Sequence, residues 1–133
     1  MNLEDFVKEL ISNVVSGIVA DRCGGFEVCC PSPDEVLKKR TESSFYASKK
    51  CEENAQKMIN LLREHLVIYV YEDGVVVASL PTYDFDFDVY GRVDKSDVEK
   101  LKETLISLGF VKDFEDKAID NVKFTAFCFP EGK

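Results

Sequence analysis

At Leu66 the spacing of the apolar residues changes, and few architectures accommodate that change. Up to Leu66 apolar side chains recur at three- and four-residue intervals; beyond it they recur at every second position or run together. A helical half followed by a strand-rich half, with one more helical stretch inside the second, is the pattern of an α+β fold. At 133 residues the chain can bury a sizeable core without metal or disulfide staples. We expect a single domain over residues 1–133, helical in 1–66 and β-rich in 67–133.

In the first half, Leu3, Phe6, Val7, Leu10, Ile11 and Val14 open an apolar stripe that predicts a helix over residues 3–20, capped by Asn2 and ended near Gly24 and Gly25. Ser32, Pro33 and Glu35 form the start signal of a second helix, a capping box with proline in its first turn. Its pattern runs to Leu66, but the apolar face thins to Ser44, Ala47, Cys51 and Ala55. So long a pattern without an interior cap often contains a break, and residues 38–44 are the place for one.

In the second half, strands are expected at 67–71 and 75–80, joined by Glu72-Asp73-Gly74, whose Asp-Gly pair suits a tight hairpin. A third strand covers 83–90 and ends at Gly91. Ser96 and Glu99 signal a capped helix over 97–108, with Val98, Leu101, Leu105 and Leu108 as its buried stripe and Gly109 as its stop. Strands at 110–114 and 122–129 complete the order, with Pro130 closing the last. The expected fold is two N-terminal helices followed by a mostly antiparallel five-stranded sheet (βββ-α-ββ), with helices packed on one face.

The formal net charge is −8, and it is unevenly divided. Residues 1–66 carry 9 basic and 11 acidic groups, or −2; residues 67–133 carry 8 and 14, or −6. There is no basic stripe, and Lys38-Lys39-Arg40 is short and followed by Glu42, so nucleic acid is an unlikely partner. The acidic start, Asn2 to Asp5, is unlike a signal peptide, and no apolar run approaches the roughly 18 residues of a membrane span. A cytoplasmic protein with no membrane partner is expected. Gln56 is the lone glutamine among many Lys and Glu, a thermophile-like composition that five cysteines contradict unless some are bridged.

Cys23, Cys29 and Cys30 crowd the glycine-containing link between the first two helices. Three chemistries compete for them. Zinc or an iron–sulfur cluster would need Cys51 as a fourth thiolate. If the second helix is continuous, Cys51 lies 18 residues beyond Pro33, roughly 27 Å away. A disulfide from Cys23 to Cys29 or Cys30 would close a short glycine loop, with Cys128 able to reach the link from elsewhere or a bridge joining two subunits. Free thiols acting as small hydrophobes are the third reading, and Cys51, between Ala47 and Ala55, suits it best. His65 is the sole histidine, and its spacing offers no Cys–His pair for nucleophilic catalysis.

Residues 83–89 alternate strictly, placing Asp84, Asp86 and Asp88 on one face of a strand and Phe85, Phe87 and Val89 on the other. Such a strand commonly has one solvated face, and Lys123 or a cation could relieve its charge. The run Phe85-Asp86-Phe87-Asp88-Val89, followed by a helix ending Leu108-Gly109-Phe110, resembles the first metal motif of archaeo-eukaryotic primase-type palms. That resemblance covers about 30 residues and implies magnesium-dependent phosphotransfer or nuclease chemistry through Asp84, Asp86 and Asp88. The family's histidine motif and later carboxylate have no counterpart here. The same carboxylates could instead form a negative surface for a basic partner. Asp113-x-Glu115-x-Lys117 is assigned to a polar loop.

No glycine-rich phosphate loop, serine triad or histidine cluster is present. The wide stripe of the first helix and the small-residue face of the second suit helix–helix contact, within the domain or across a homodimer. The element order resembles that of type III secretion chaperones, which implies a binding role and transfers no residues. The leading expectation is a small acidic, non-enzymatic protein without cofactor, working through protein–protein interaction as an accessory or chaperone-like factor, archaeal and viral accessory factors included. The alternatives are a metal-binding structural module through Cys23, Cys29 and Cys30, with zinc the candidate ion, and the magnesium-dependent enzyme.

Overall fold

The computed structural model describes residues 2–22, 29–81 and 86–133. Helix α1, Leu3–Arg22, begins where Asn2 Oδ1 accepts the backbone N–H of Glu4 at 2.8 Å, the cap its sequence signalled. The short α2, Pro33–Lys38, carries the full capping box: Ser32 Oγ accepts the Glu35 N–H at 3.2 Å, and Glu35 Oε1 accepts the Ser32 N–H at 3.0 Å. The chain then leaves the helix through Lys39 at φ 65°, passes a 3₁₀ turn at Ser43–Phe45, and starts α3, Lys49–His65, under a Ser48 cap.

The expected break in the second helix is therefore real, and it turns the chain back on itself. Two side chains hold the reversal. Glu35, 2% exposed, accepts the Glu42 N–H at 2.8 Å, and the Tyr46 hydroxyl lies within 3.1 Å of both its oxygens. Gln56 on α3 accepts the Thr41 N–H at 3.1 Å. With the backbone of Ser32 and Glu42 as donors, the Glu35 carboxylate is well compensated for its burial. Burial, reinforced by the hydrogen bond to Glu35, pushes the Tyr46 phenol well above its ordinary value and keeps it protonated.

The strands are β1 (Val67–Tyr71), β2 (Val75–Pro81), β3 (Asp86–Arg92), β4 (Val111–Lys117) and β5 (Lys123–Cys128), with α4 (Val98–Ser107) between β3 and β4. They form one antiparallel sheet in the order β3-β2-β1-β5-β4. The β1–β2 hairpin turns at Gly74, whose φ of 98° is the left-handed conformation that the Asp-Gly pair announced. Gly91 lies inside β3 and does not end it. Ser96 falls in a 3₁₀ turn at Lys95–Asp97 and does not cap α4, whose N-cap is Asp97 without a side-chain hydrogen bond. Asp113, Glu115 and Lys117 belong to β4 and not to a loop.

All the helices pack on one face of the sheet. There Ile68, Val70, Val76, Ala78, Leu80 and Phe127 meet the stripes of α1, α3 and α4 in one continuous core. Helix α1 runs close over β3 because Gly17 leaves room for the Phe87 ring; even a methyl group there would overlap it. Among the described residues no helix is long and apolar enough to cross a membrane.

Arg63 on α3 joins the parts. Its guanidinium donates to the carbonyls of Val36 at 2.9 Å and Leu37 at 3.2 Å, at the end of α2, and to Glu131 Oε1 at 3.2 Å. It also lies 4.1 Å from the centroid of Phe129, which stacks on Phe110. The backbone N–H of left-handed Lys39 already caps the Glu35 and Val36 carbonyls, and this charge-assisted fork adds a second donor to Val36 and a donor to Leu37.

Arg63→Ala should cost about 3 kcal/mol in urea denaturation, because it removes the donor to Leu37, the second donor to Val36 and the charge pair with Glu131. Arg63→Lys should fall between the two, since an ammonium cannot span the same acceptors. Burial alone would push the Glu131 carboxyl up, but its backbone N–H, Lys39 and Arg63 outweigh that and hold it below the ordinary value. A carboxylate lowered on folding contributes stability above its unfolded pKa, about 4.3, and loses it as pH falls through the lower folded value. In Glu131→Gln, acid titrations of stability should therefore be flatter below about pH 4.3 than in the parent.

Candidate functional site

The thiol link is a covalent tie between the N-terminal segment and α3. Cys29 is bonded to Cys51, with Cα atoms 5.2 Å apart and a separation of 22 positions in sequence. This corrects two expectations. Cys51 is not a free core thiol, although its 7% exposure is that of a core residue, and the 27 Å separation vanishes because the second helix breaks and folds back. The expected bridge from Cys23 to Cys29 gives way to this one, because Cys29 is taken by Cys51; Cys23 itself lies outside the described residues.

A four-thiolate metal site cannot use Cys29 and Cys51 while they are bonded, and no group of three or more metal-ligating side chains occurs among the described residues. Cys30 is exposed beside this tie. Cys128 is buried on the far side of the sheet and does not approach the link; burial raises its thiol pKa, with the charge of Asp113 adding to the effect. His65 ends α3, whereas Cys51 lies in its first turn, so no Cys–His pair forms there.

In the acidic strand, Asp84 lies outside the described residues, and Asp86 and Asp88 are exposed on β3. Lys123 cannot relieve them, because β2 and β1 stand between β3 and β5. In register, Asp86 faces Pro81 and Asp88 faces Ser79. Both carboxylates therefore lie on the sheet face that the helices leave uncovered.

The apolar and aromatic character of that uncovered face is the largest feature the sequence reading missed. Antiparallel sheets with one face to water usually alternate apolar and polar residues. Here β1 is apolar at every position, and β2 from Val75 to Ala78. The outward positions of the central strands are Val67, Tyr69 and Tyr71 on β1 and Val75 and Val77 on β2.

Phe124 of β5 sits among three rings on this face: Tyr69 at 5.6 Å, Tyr71 at 5.2 Å and Phe114 of β4 at 6.0 Å between centroids. Tyr90 of β3, opposite Val77, is 69% exposed, and Phe114 is 43% exposed. Alternating burial on β3 was legible as one solvated face. The unbroken apolar runs Val67–Tyr71 and Val75–Ala78, which normally mark strands covered on both faces, carried the missed signal.

Acid groups frame the aromatic cluster. The pairing of β4 with β5 shifts between Lys112 and Phe114, which leaves Asp113 as the extra residue of the irregularity, next to Phe114. Burial raises the Tyr69 phenol first, and the charges of Asp88 and Asp113, from opposite edges of the sheet, raise it further. Burial likewise raises Tyr71, with Asp120 and Asp73 contributing from the turns. Asp116 shares the face in register with Phe124. Arg92, opposite Val75, and Lys133, acting on Cys128, are cations in the same neighbourhood.

No family model, curated protein or solved structure matches the chain.

Reduction should weaken the fold without dissolving its sheet, since the ring closed by Cys29 and Cys51 holds α2 and the turn after it. For a 22-residue separation, the chain-entropy model gives about 3 kcal/mol. Denaturant midpoints with and without a reductant should show that difference, and Cys29→Ser should reproduce it. Peptide mapping of the unreduced protein should recover the Cys29 and Cys51 peptides as one linked species.

Proposed function

We propose that the protein works by binding another protein through the uncovered face of its sheet, as a small acidic accessory or chaperone-like factor rather than as an enzyme. The observation that carries this reading is the aromatic cluster around Phe124 on the face opposite the helices. Tyrosine suits such a role because it offers a large apolar ring and a polar tip, and aromatic residues are enriched at interface cores. A contiguous exposed apolar face rimmed by polar groups marks an interaction site more often than an accident of composition. The chemistry required of a magnesium-dependent transferase finds less support, because Asp86 and Asp88 are exposed on an outermost strand and no metal-ligating cluster of three occurs among the described residues.

The exposed rings allow a clean test. Tyr90→Ser combined with Phe114→Ser removes two rings that folding buries only in part, so stability should fall by about 1–2 kcal/mol without loss of the fold. Peptides selected from a displayed library against the parent protein should bind the double variant about tenfold more weakly or worse, as expected for loss of central aromatic contacts. Unchanged binding of every selected peptide, with the fold retained, would remove this face as the interface.

A further inference from the structure

Resting on that reading of the open face, we propose that its partner is a protein segment that presents arginines on either side of an apolar stretch. Three observations converge on this chemistry. The centre of the face is a set of rings, Tyr69, Tyr71, Phe114 and Phe124, that can receive both apolar side chains and the flat guanidinium group. Carboxylates flank this centre at both edges of the sheet: Asp88 stands on the open face of β3 opposite Ser79, and Asp113 stands at the irregularity of β4 beside Phe114. Asp120 and Asp73 add negative charge near Tyr71 from the turns.

A ligand for such a surface must place positive charge at the rim and apolar surface at the centre. In an extended segment, side chains on one face recur about every 7 Å, so two arginines six residues apart, with apolar side chains at the two same-face positions between them, span the roughly 19 Å of four strand spacings from β3 to β4. A second copy of the chain fits worse. A two-fold interface through this face would set Asp86, Asp88 and Asp113 of each copy against a surface of the same sign, between two chains of charge −8. Nucleic acid is disfavoured by the same sign rule.

The test uses isotope-labelled full-length protein titrated with three capped synthetic peptides of equal length, in which arginine, lysine or glutamate stands at both ends of a same-face run of valines spaced by serines. Amide shifts in NMR spectra locate binding, and sedimentation reports self-association. The arginine peptide should shift the amides of β1, β3, β4 and β5 saturably. The lysine peptide should bind more weakly because an ammonium stacks less well on rings, and the glutamate peptide should leave the spectrum unchanged.

Affinity for the arginine peptide should fall about tenfold in Asp88→Asn/Asp113→Asn, and it should fall with added salt. Both positions are exposed, so the variant should fold as the parent does.

Shifts scattered over the whole surface, or indifferent to the double substitution, would overturn the proposal as diffuse attraction to an acidic protein. Equal binding of the glutamate peptide would overturn it while keeping the face as an interface. So would a dimer in sedimentation that Tyr90→Ser abolishes. If no peptide of any charge perturbs the face, and peptides selected against the parent still bind Tyr90→Ser/Phe114→Ser, the interface reading itself fails.

Discussion

The guanidinium of Arg63 decides how the helical half of this molecule can be arranged. Six residues are too few for a helix to persist by its own hydrogen bonds, so α2 exists because something holds both its ends. Ser32 and Glu35 hold the start. Arg63 holds the end, reaching from α3 to the carbonyls of Val36 and Leu37. Once α2 is fixed, Glu35 is fixed with it, and Glu35 in turn orders the reversal through Glu42 and Tyr46. The reversal brings the first turn of α3 beside the segment preceding α2, and Cys29 can then meet Cys51. The same guanidinium lies on Phe129 and pairs with Glu131, so the last turn of the chain joins the assembly.

The sheet presents a different problem. Its central strands are apolar on both faces, but all the helices lie on one of them. The covered face is dense and fully buried at Ile68, Val76, Ala78 and Leu80. On the other face the rings gather around Phe124 and shelter Ala126 and Cys128, which are almost fully buried without a helix above them. Self-covering of this kind lowers the cost of exposure and leaves the outer surfaces of the rings available. The charge that keeps such a protein soluble is placed at the edges, on β3, β4 and the turns, where it also discourages strand-to-strand association.

Most of the fold was legible in the sequence where local signals were strong. The caps at Asn2 and Ser32, the Asp73-Gly74 turn and the break after Lys38 all appear where their residue types placed them. What failed depended on distance through space. The Cys29–Cys51 bond follows from the fold-back, which a linear count of residues could not register. Ser96 looks like a helix cap, but the chain enters α4 through a 3₁₀ turn and leaves it unused. Asp113, Glu115 and Lys117 read as loop because charged residues suit loops, yet an outermost strand tolerates them equally well. The open face was hidden in plain apolar runs, because periodicity reports which residues are apolar and not whether anything covers them.

The contact between Gly17 and Phe87 has a consequence for the opposite side of the sheet. Phe87 points inward between two outward residues, Asp86 and Asp88. With its ring seated against the backbone of α1, that stretch of β3 has little freedom to twist, slide or fray, although it is the outermost strand. Acidic groups on an unpaired strand would ordinarily sample many positions and surrender that freedom when they meet a ligand. Here a helix on the far side has already removed much of it, so the ordering entropy is settled during folding and little remains to be lost on association.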